Sequence, residues 1–244
     1  MLKDNCIINL RVWGDFACMT RPELKAERVS YPILTPSAAR GVLEAVYYEP
    51  QMFYLIHEIA VVKRGRWFSF RRNEVKKVVS RDMIAKAIVD PNKFKQILAG
   101  GGAEDGTQRG MLALADVEYL IKAEILLTIR AEPRRDSLDK YLGIFTNRAS
   151  KGKCFHRPYL GCREFAADFE FIPDHDVQSI PLENWPQEDL GIMLYDVFDP
   201  RLRFKGANVD PDPVFFNAKV VDSKMNCRPD QIQMLSRRNP VGGA

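Results

Sequence analysis

The sequence predicts an α+β fold: a β-α-β-β-α-β unit of the ferredoxin-like type, followed by a small antiparallel β-sheet domain. Three observations predict it. Strand-like segments surround two stretches with helical spacing, a long insertion interrupts the unit before its second helix, and only strand-like segments follow residue 172. We therefore assign residues 1–172 to the first domain, with the insertion at about 73–106, and residues 173–244 to the second.

The first strand and the first helix have clear local signals. Ile7–Trp13 alternates apolar and polar residues, which is typical of a half-buried strand. Thr35 and Pro36 predict a helix start, with the threonine as N-cap and the proline at the first helical position. The helix is predicted to end at Glu49-Pro50, because a residue before proline avoids helical geometry.

A predicted hairpin and a helical insertion follow. Phe53–Val62 is rich in β-branched and aromatic residues and predicts a strand. Gly65 turns the chain, so that the alternating residues of Arg66–Arg72 become the hairpin partner of that strand. Within the insertion, Ser80–Val89 and Pro91–Ala99 are predicted to form short helices.

The rest of the unit returns to strands around one helix. Thr107–Leu114 and Tyr119–Arg130 are predicted strands. Asp136-Ser137 offers an N-cap for a helix that continues to about Lys151, and Phe165–Phe171 alternates as a further strand. The predicted strands of the second domain are Gly191–Val197, Leu202–Lys205 and Val214–Val221.

Charge is distributed very unevenly along the chain. The formal net charge is only +4. However, Lys63–Lys95 has eleven basic and three acidic residues, Arg130–Arg163 has nine and three, and Glu164–Pro200 has ten acidic residues and no Lys or Arg. Basic blocks of this kind bind polyanions such as nucleic acid, although solvated charged faces would produce the same pattern.

Several protein classes are disfavoured by composition. No apolar run has the length that spans a bilayer, and the first residues lack the apolar core of a signal peptide, so we expect a cytoplasmic protein without membrane contact. The five cysteines include no Cys-x-x-Cys pair, and their number is odd. That argues against a disulfide framework or a zinc site, and we expect neither a metal nor another cofactor.

Three longer stretches together resemble one known family. They are GDFACMTRPELKAERVSYPILTPSAARGVLEAVYY (14–48), TQRGMLALADVEYLIKAEI (107–125) and DKYLGIFTNRASKGKCFHRPYLGCREF (139–165). In order and spacing they are similar to the CRISPR-associated Cas5 family of subtype I-C, the dvulg type. The resemblance implies an RRM-like, that is ferredoxin-like, first domain and a small C-terminal β-sheet domain.

The resemblance also implies an activity and partners. Members cleave the CRISPR repeat in precursor RNA without a metal and remain in the Cascade surveillance complex, where they hold the 5′ handle of the crRNA. The partners implied are the repeat RNA and the backbone and large subunits of a type I-C Cascade. Target duplex DNA stays open as a further partner.

Metal-free RNA cleavage uses the 2′-hydroxyl as nucleophile and leaves a 2′,3′-cyclic phosphate, so the protein must move protons and stabilise a phosphorane. By resemblance, the catalytic positions are Tyr47 at the end of the first helix and Lys140 at the start of the second, followed by a histidine. Tyr141 occupies the histidine position. A phenol is a poor base at neutral pH, so either the three residues act by positioning and charge or cleavage is impaired. His156 is a possible substitute.

Each of these residues also has a purely structural interpretation. Tyr47 ends an apolar helix and could be a core tyrosine, Lys140 could be a solvated residue of a first helical turn, and Tyr141 could simply pack against Phe145. A lysine near a positive helix end is better explained if an anion binds nearby.

RNA binding is expected mainly after the second helix. Basic residues there interleave with Phe155 and Tyr159, and such mixtures suit phosphate contacts and base stacking. For each arginine alone, a surface charge is the alternative, and for the two aromatic residues it is core packing. The candidate RNA-binding residues are Arg28, Arg40, Arg109, Arg148, Lys151, Lys153, His156 and Arg157.

Three functions follow as hypotheses. The first is a metal-independent repeat endoribonuclease that stays in Cascade. The second is a catalytically impaired RNA-binding subunit of the same complex, suggested by Tyr141. The third is an RRM-like adaptor unrelated to CRISPR, although Ile7–Trp13 lacks the aromatic pattern of an RNA-binding RRM strand.

Overall fold

The computed structural model of the protein has a mostly antiparallel sheet as its framework, and the helices Pro36–Val46 and Leu138–Ala149 pack on one face. It describes residues 6–93, 96–98, 100, 102–199 and 211–235. The strands are β1 (Ile7–Ala17), β2 (Arg28–Val29), β3 (Met52–Lys63), β4 (Arg66–Val75), β5 (Gly106–Leu127), β6 (Asp168–Ile172), β7 (Gln187–Asp196), β8 (Val214–Val221), β9 (Lys224–Asn226) and β10 (Met234–Leu235). The α-helices are α1 (Pro36–Val46), α2 (Arg81–Val89) and α3 (Leu138–Ala149).

The strand order across the sheet is β10-β8-β9-β3-β5-β1-β6. Every neighbouring pair on this path is antiparallel. Helix α1 connects β1 with β3, and α3 connects β5 with β6. The fold is therefore α+β with a large antiparallel sheet, as the sequence predicts.

The predicted partner of the strand at Arg66–Arg72 is wrong. β4 pairs with β5, and β3 pairs with the other half of the same strand, from Met52↔Leu127 to Lys63↔Glu118. Gly65 has φ +77°, and a Cβ there would lie 2.7 Å from Ala115 O, so glycine lets the chain kink and continue beside β5. Alternation identified the strand, but a strand's partner depends on contacts distant in sequence.

The insertion is helical only in part. Ser80 caps α2 by accepting a hydrogen bond from Met83 N, as predicted. Where the structure describes the helix predicted at Pro91–Ala99, it is not α-helical: Pro91–Lys93 is a 3-10 turn, and residues 96–98 are irregular. A short helix is marginal without tertiary packing, and α2 itself has no buried residue.

The C-terminal strands extend the same sheet. β9 pairs with β3, and β8 pairs with β7, β9 and β10. Side chains from both parts of the chain, such as Leu43 and Phe216, belong to one buried cluster. Neither the sheet nor this core is interrupted at residue 173. The predicted strand Leu202–Lys205 lies outside the described residues.

The sheet face opposite the helices is partly covered. Val177, Ile180 and Leu182 pack on a buried patch that includes Ala60 and Leu120. No helix in the described part of the chain is long and apolar enough to span a membrane.

Candidate functional site

The C-terminal end of α1 is held by the segment that follows α3. Two of its last carbonyls lack helical partners, and other parts of the chain supply them. Arg148 Nε donates to Val46 O at 3.0 Å, and Phe155 N donates to Ala45 O at 2.8 Å. Tyr47, the C-cap, leaves the helix in an extended conformation, and its carbonyl accepts the hydroxyl of Tyr54 at 2.7 Å. The end of α1 is therefore bonded both to α3 and to the segment after it.

The N-terminal end of α3 contributes the second half of the site. Ser137 caps the helix by accepting a hydrogen bond from Lys140 N at 3.2 Å. Lys140 Nζ lies 3.2 Å from Asp136 Oδ1 and 3.0 Å from Arg135 O. Tyr141 donates its hydroxyl to the same carboxylate oxygen at 2.6 Å. One aspartate thus holds the lysine and the tyrosine together.

The three predicted catalytic residues lie together. The rings of Tyr47 and Tyr141 have centroids 6.3 Å apart, and Lys140 Nζ lies 5.0 Å from the Tyr141 ring. Their exposures differ. Lys140 has a side chain 44% exposed, whereas Tyr141 is only 2% exposed. Tyr141 is therefore a packed residue whose hydroxyl is engaged by Asp136, while Lys140 faces solvent.

Electrostatics make the two tyrosines hydrogen-bond donors. Burial, followed by the hydrogen bond to Asp136, raises the pKa of Tyr141, and burial raises the pKa of Tyr47. The hydrogen bond from Tyr141 and the backbone bond from Glu132 lower the pKa of Asp136 to about 2. Both phenols therefore remain protonated at neutral pH, and neither is suited to remove a proton.

Residues 151–157 form a basic loop next to the end of α1. Gly152 has φ +63°, and Lys153 N donates to Arg148 O at 2.9 Å, so the turn ends α3 in a left-handed cap. Every residue of the loop except Cys154 is exposed, and Phe155 is 83% exposed. An exposed phenylalanine among cations suits base stacking beside phosphate contacts. The basic loop includes the candidates Lys151, Lys153, His156 and Arg157.

Arg28 and Arg109 belong to a different group of charges. Arg28 Nη1 lies 3.3 Å from Cys162 Sγ and 3.4 Å from Glu164 Oε1, and Arg109 Nε lies 3.0 Å from Glu74 Oε2. This group joins β2, β4 and β5. The structure therefore separates these two arginines from the basic loop.

Arg40 does not present its guanidinium to solvent. Its side chain is 13% exposed, and it donates to both oxygens of Asp196 at 2.9 and 3.0 Å and to Glu44 at 2.6 Å. Burial alone would lower the pKa of Arg40, but the two carboxylates outweigh it and raise the pKa. Arg40 joins α1 to β7, and its donors are committed to protein carboxylates.

Asp136 is the residue that the sequence reasoning missed. Its position beside the helix start suggested only a cap, a role that Ser137 fills. The available signal was its spacing from Lys140, since residues four apart meet on one face of a helix.

Known proteins with similar sequences indicate the family of this chain. The family model described as CRISPR-associated protein (Cas_Cas5), of the Cas5d type, matches residues 7–227. The CRISPR pre-crRNA endoribonuclease Cas5d of Mannheimia succiniciproducens is 37% identical over 234 residues, covering 94% of this chain and 98% of that protein. The protein of the same name from Thermus thermophilus is 38% identical over 242 residues, covering 94% and 95%.

Two solved structures share the fold. The functionally uncharacterised protein SMU1763c from Streptococcus mutans has a TM-score of 0.63 at 20% identity, covering 93% of this chain and 95% of its own. A crystal structure of a CRISPR-associated protein has a TM-score of 0.60 at 21% identity, covering 90% of each chain. With the family model and both relatives extending over nearly the whole chain, this chain belongs to the Cas5d family of CRISPR-associated proteins.

Proposed function

We propose that the chain is a pre-crRNA endoribonuclease that cleaves CRISPR repeat RNA and then holds the 5′ handle in a type I-C Cascade. The observation that carries the proposal is that the ring of Tyr141 lies near both Lys140, in the first turn of α3, and Tyr47, at the end of α1. The basic loop is bonded to the same end of α1. The two relatives named as pre-crRNA endoribonucleases support the same reaction.

The proposed reaction needs no metal. The 2′-hydroxyl attacks the adjacent phosphorus, the bond to the 5′-oxygen breaks, and the products are a 2′,3′-cyclic phosphate and a free 5′-hydroxyl. Lys140, in the first turn of α3, stabilises the charge of the phosphorane together with the helix N-terminus. Tyr47 donates a hydrogen bond to a phosphate oxygen or to the leaving 5′-oxygen, which takes its proton from water.

Asp136 and Tyr141 are positioning residues in this scheme. The carboxylate engages both the ammonium of Lys140 and the hydroxyl of Tyr141, which fixes where the lysine stands before RNA binds. An imidazole is the side chain best suited to accept the proton of the 2′-hydroxyl at neutral pH. We assign this role to His156, whose backbone N donates to Ala45 O at the same end of α1.

The fold supports the RNA-processing role. We propose that β1, α1, β3, β5, α3 and β6 form the ferredoxin-like unit, because their order in the sheet is β6-β1-β5-β3 with antiparallel neighbours. The RNA then binds along the helix ends and the basic loop, since segment 177–182 covers part of the opposite sheet face.

A second candidate function is a structural RNA-binding subunit of Cascade that does not cleave. It is favoured by the burial of Tyr141, whose hydroxyl is bonded to Asp136 and offers no base to the substrate. This version keeps the basic loop and its contacts with the handle.

The test is single-turnover cleavage of the cognate repeat RNA in EDTA, with RNA binding measured in parallel. We expect the wild type to cleave, and Lys140→Ala to lose roughly a hundredfold or more in rate, in the range of a lost general acid or charge stabiliser, with binding largely kept. The matched control is Lys122→Ala, which removes an exposed lysine on β5 and leaves the rate unchanged.

The other outcomes separate the candidates. Binding without cleavage in EDTA and in Mg²⁺ identifies the structural subunit, and cleavage only with Mg²⁺ overturns the metal-free mechanism. A sharp increase of the rate in Tyr141→His shows that the native site is impaired.

A further inference from the structure

A pocket of about 280 Å³ lies beside the N-terminal half of α1. Three parts of the chain form it: the segment from the end of β1 to α1, the turn at residues 159–161, and β7. Its lining residues are Met19, Thr20, Thr35, Ser37, Ala38, Gly41, Tyr159, Gly161 and Leu194.

The chemistry of the lining suits an uncharged planar group. None of the lining residues carries a charge, and the walls combine apolar side chains with four hydroxyl-bearing residues, one of which is Tyr159 with its aromatic ring. A phosphate or a metabolite carboxylate would find no cation here. A nucleobase has two apolar faces and a polar edge, which match apolar walls with hydroxyls among them.

Gly41 lines this pocket without adding a side chain to it. A Cβ at Gly41 would meet no atom within 4 Å, so no packing against the fold requires glycine at this position. Glycine inside a helix costs stability relative to alanine. The residue is therefore better explained by the open space that it preserves than by the stability of α1.

The pocket lies along the path that leads to the proposed cleavage site. The chain from Phe155 to Gly161 runs beside α1, bonded to Ala45 O at one end and packed on Cys18 at the other. The rings of His156 and Tyr159 are stacked, with centroids 6.4 Å apart. Gly41 lies one helical turn, about 6 Å, before Ala45, so the pocket is close to the end of α1 that carries Tyr47.

Two contacts make the pocket rigid. Gly161 has φ +84°, and a Cβ there would approach Cys18 O to 2.1 Å, so the turn packs closely against the backbone that follows β1. The ion pair between Arg40 and Asp196 holds β7, which contributes Leu194, against α1. A rigid, already formed pocket loses little entropy when it binds a ligand.

We propose that this pocket binds one unpaired nucleobase of the repeat RNA, from the single strand that flanks the scissile phosphate. The inference rests on the proposed function, because it names a subsite of the same RNA-binding surface. The base enters between Tyr159 and α1, while its backbone continues past His156 towards Lys140.

The experiment fills the pocket without disturbing the fold. Gly41→Leu adds a large side chain to a residue that lines the pocket, Gly41→Ala adds only a Cβ, and Ser37→Leu enlarges a second lining residue. The control is Gly143→Leu on α3, where a Cβ would also meet nothing within 4 Å. Each variant is titrated with fluorescein-labelled cognate repeat RNA and with versions that carry a single abasic nucleotide, and thermal unfolding confirms folding.

We expect Gly41→Leu to weaken binding by roughly five- to a hundredfold, the range that stacking of one base contributes, and Gly41→Ala to weaken it less, while Gly143→Leu binds as the wild type does. One abasic position should weaken binding to the wild type and have no further effect in Gly41→Leu. Unchanged binding in both filling variants overturns the inference. It is also overturned if, at every position, an abasic nucleotide weakens RNA binding to Gly41→Leu as much as it weakens binding to the wild type. A wild type that binds no repeat RNA overturns the proposed function instead.

Discussion

Asp136 organises the candidate site at the scale of single residues. Its carboxylate accepts the hydroxyl of Tyr141 and pairs with Lys140, and these bonds lower its pKa to about 2. The negative charge also contributes to the raised pKa of Tyr141, after burial. Tyr141 is therefore a packed hydrogen-bond donor whose hydroxyl is held by this aspartate.

The lowered pKa of Asp136 predicts how the stability of the protein depends on pH. A carboxylate with a lowered pKa in the folded state stabilises the protein above its ordinary pKa of 3.8, and this contribution is lost as the pH falls towards about 2. We therefore expect Asp136→Asn to be less stable than the wild type at neutral pH, and the difference in unfolding temperature to shrink as the pH falls below 3.8.

Thermal unfolding between neutral pH and pH 2 measures this difference, with Asp139→Asn in the first turn of α3 as the control. A constant difference across the whole range would contradict the assignment. Asp136→Asn should also lower the cleavage rate, because Lys140 loses the carboxylate that positions it.

Helix ends position the site at the scale of elements. The last turn of α1 presents Tyr47, and the first turn of α3 presents Lys140. Both ends have unsatisfied backbone groups, so they attract caps: the segment after α3 donates to α1, and Ser137 accepts from α3. The same backbone chemistry that ends the helices therefore brings the candidate groups together.

Two serine caps provide a matched test of this idea. Ser137 caps α3 and Ser80 caps α2, each by accepting a backbone hydrogen bond at 3.2 Å. We expect Ser137→Ala to lower the free energy of unfolding by about 1 kcal/mol and to reduce the cleavage rate. Ser80→Ala should leave both unchanged, because α2 has no buried residue. Urea unfolding and single-turnover cleavage give the two readouts, and equal effects on cleavage would refute the special role of the α3 end.

One buried ion pair joins the two halves of the chain at the scale of the whole molecule. Arg40 and Asp196 lie 156 residues apart in sequence, and their side chains are 13% and 6% exposed. The pair fixes β7, and with it the C-terminal strands, against α1. Arg40 was expected to bind RNA, but its contacts explain it as a structural residue.

Replacing Arg40 and Arg157 should separate stability from RNA binding. Arg40→Met leaves the buried carboxylate of Asp196 without its cation, with only the backbone N–H groups of Val197 and Phe198 as donors. We therefore expect it to lower the free energy of unfolding by about 3 kcal/mol. Arg157 pairs with Asp168, and both side chains are at least 60% exposed, so Arg157→Met should cost about 1 kcal/mol or less.

Binding of repeat RNA should show the opposite order, with a clear loss in Arg157→Met and little change in folded Arg40→Met. Urea unfolding and fluorescence anisotropy measure the two quantities. A stable Arg40→Met that no longer binds RNA would return this residue to the RNA-binding surface.

Features that depend on neighbours in sequence could be predicted. Thr35 and Ser137 cap the helices as expected, and the alternation of residues 7–13 identified β1. The motif around Lys140 also pointed to the right family, and the structure brings Tyr47, Lys140 and Tyr141 together at two helix ends. Caps and alternation are local interactions, because hydrogen bonds and side-chain directions repeat within a few residues.

Only the tertiary structure decided which side chains are available to RNA. The sequence by itself determined the α+β pattern, the helix starts and the candidate residues. In the folded chain, Arg40 pairs with Asp196, and the buried Tyr141 donates its hydroxyl to Asp136. β4 pairs with β5, and a pocket lies beside Gly41. Exposure and pairing depend on residues far away in sequence that meet only in the folded chain, so the same arginine or tyrosine can be a ligand or a core residue according to its neighbours.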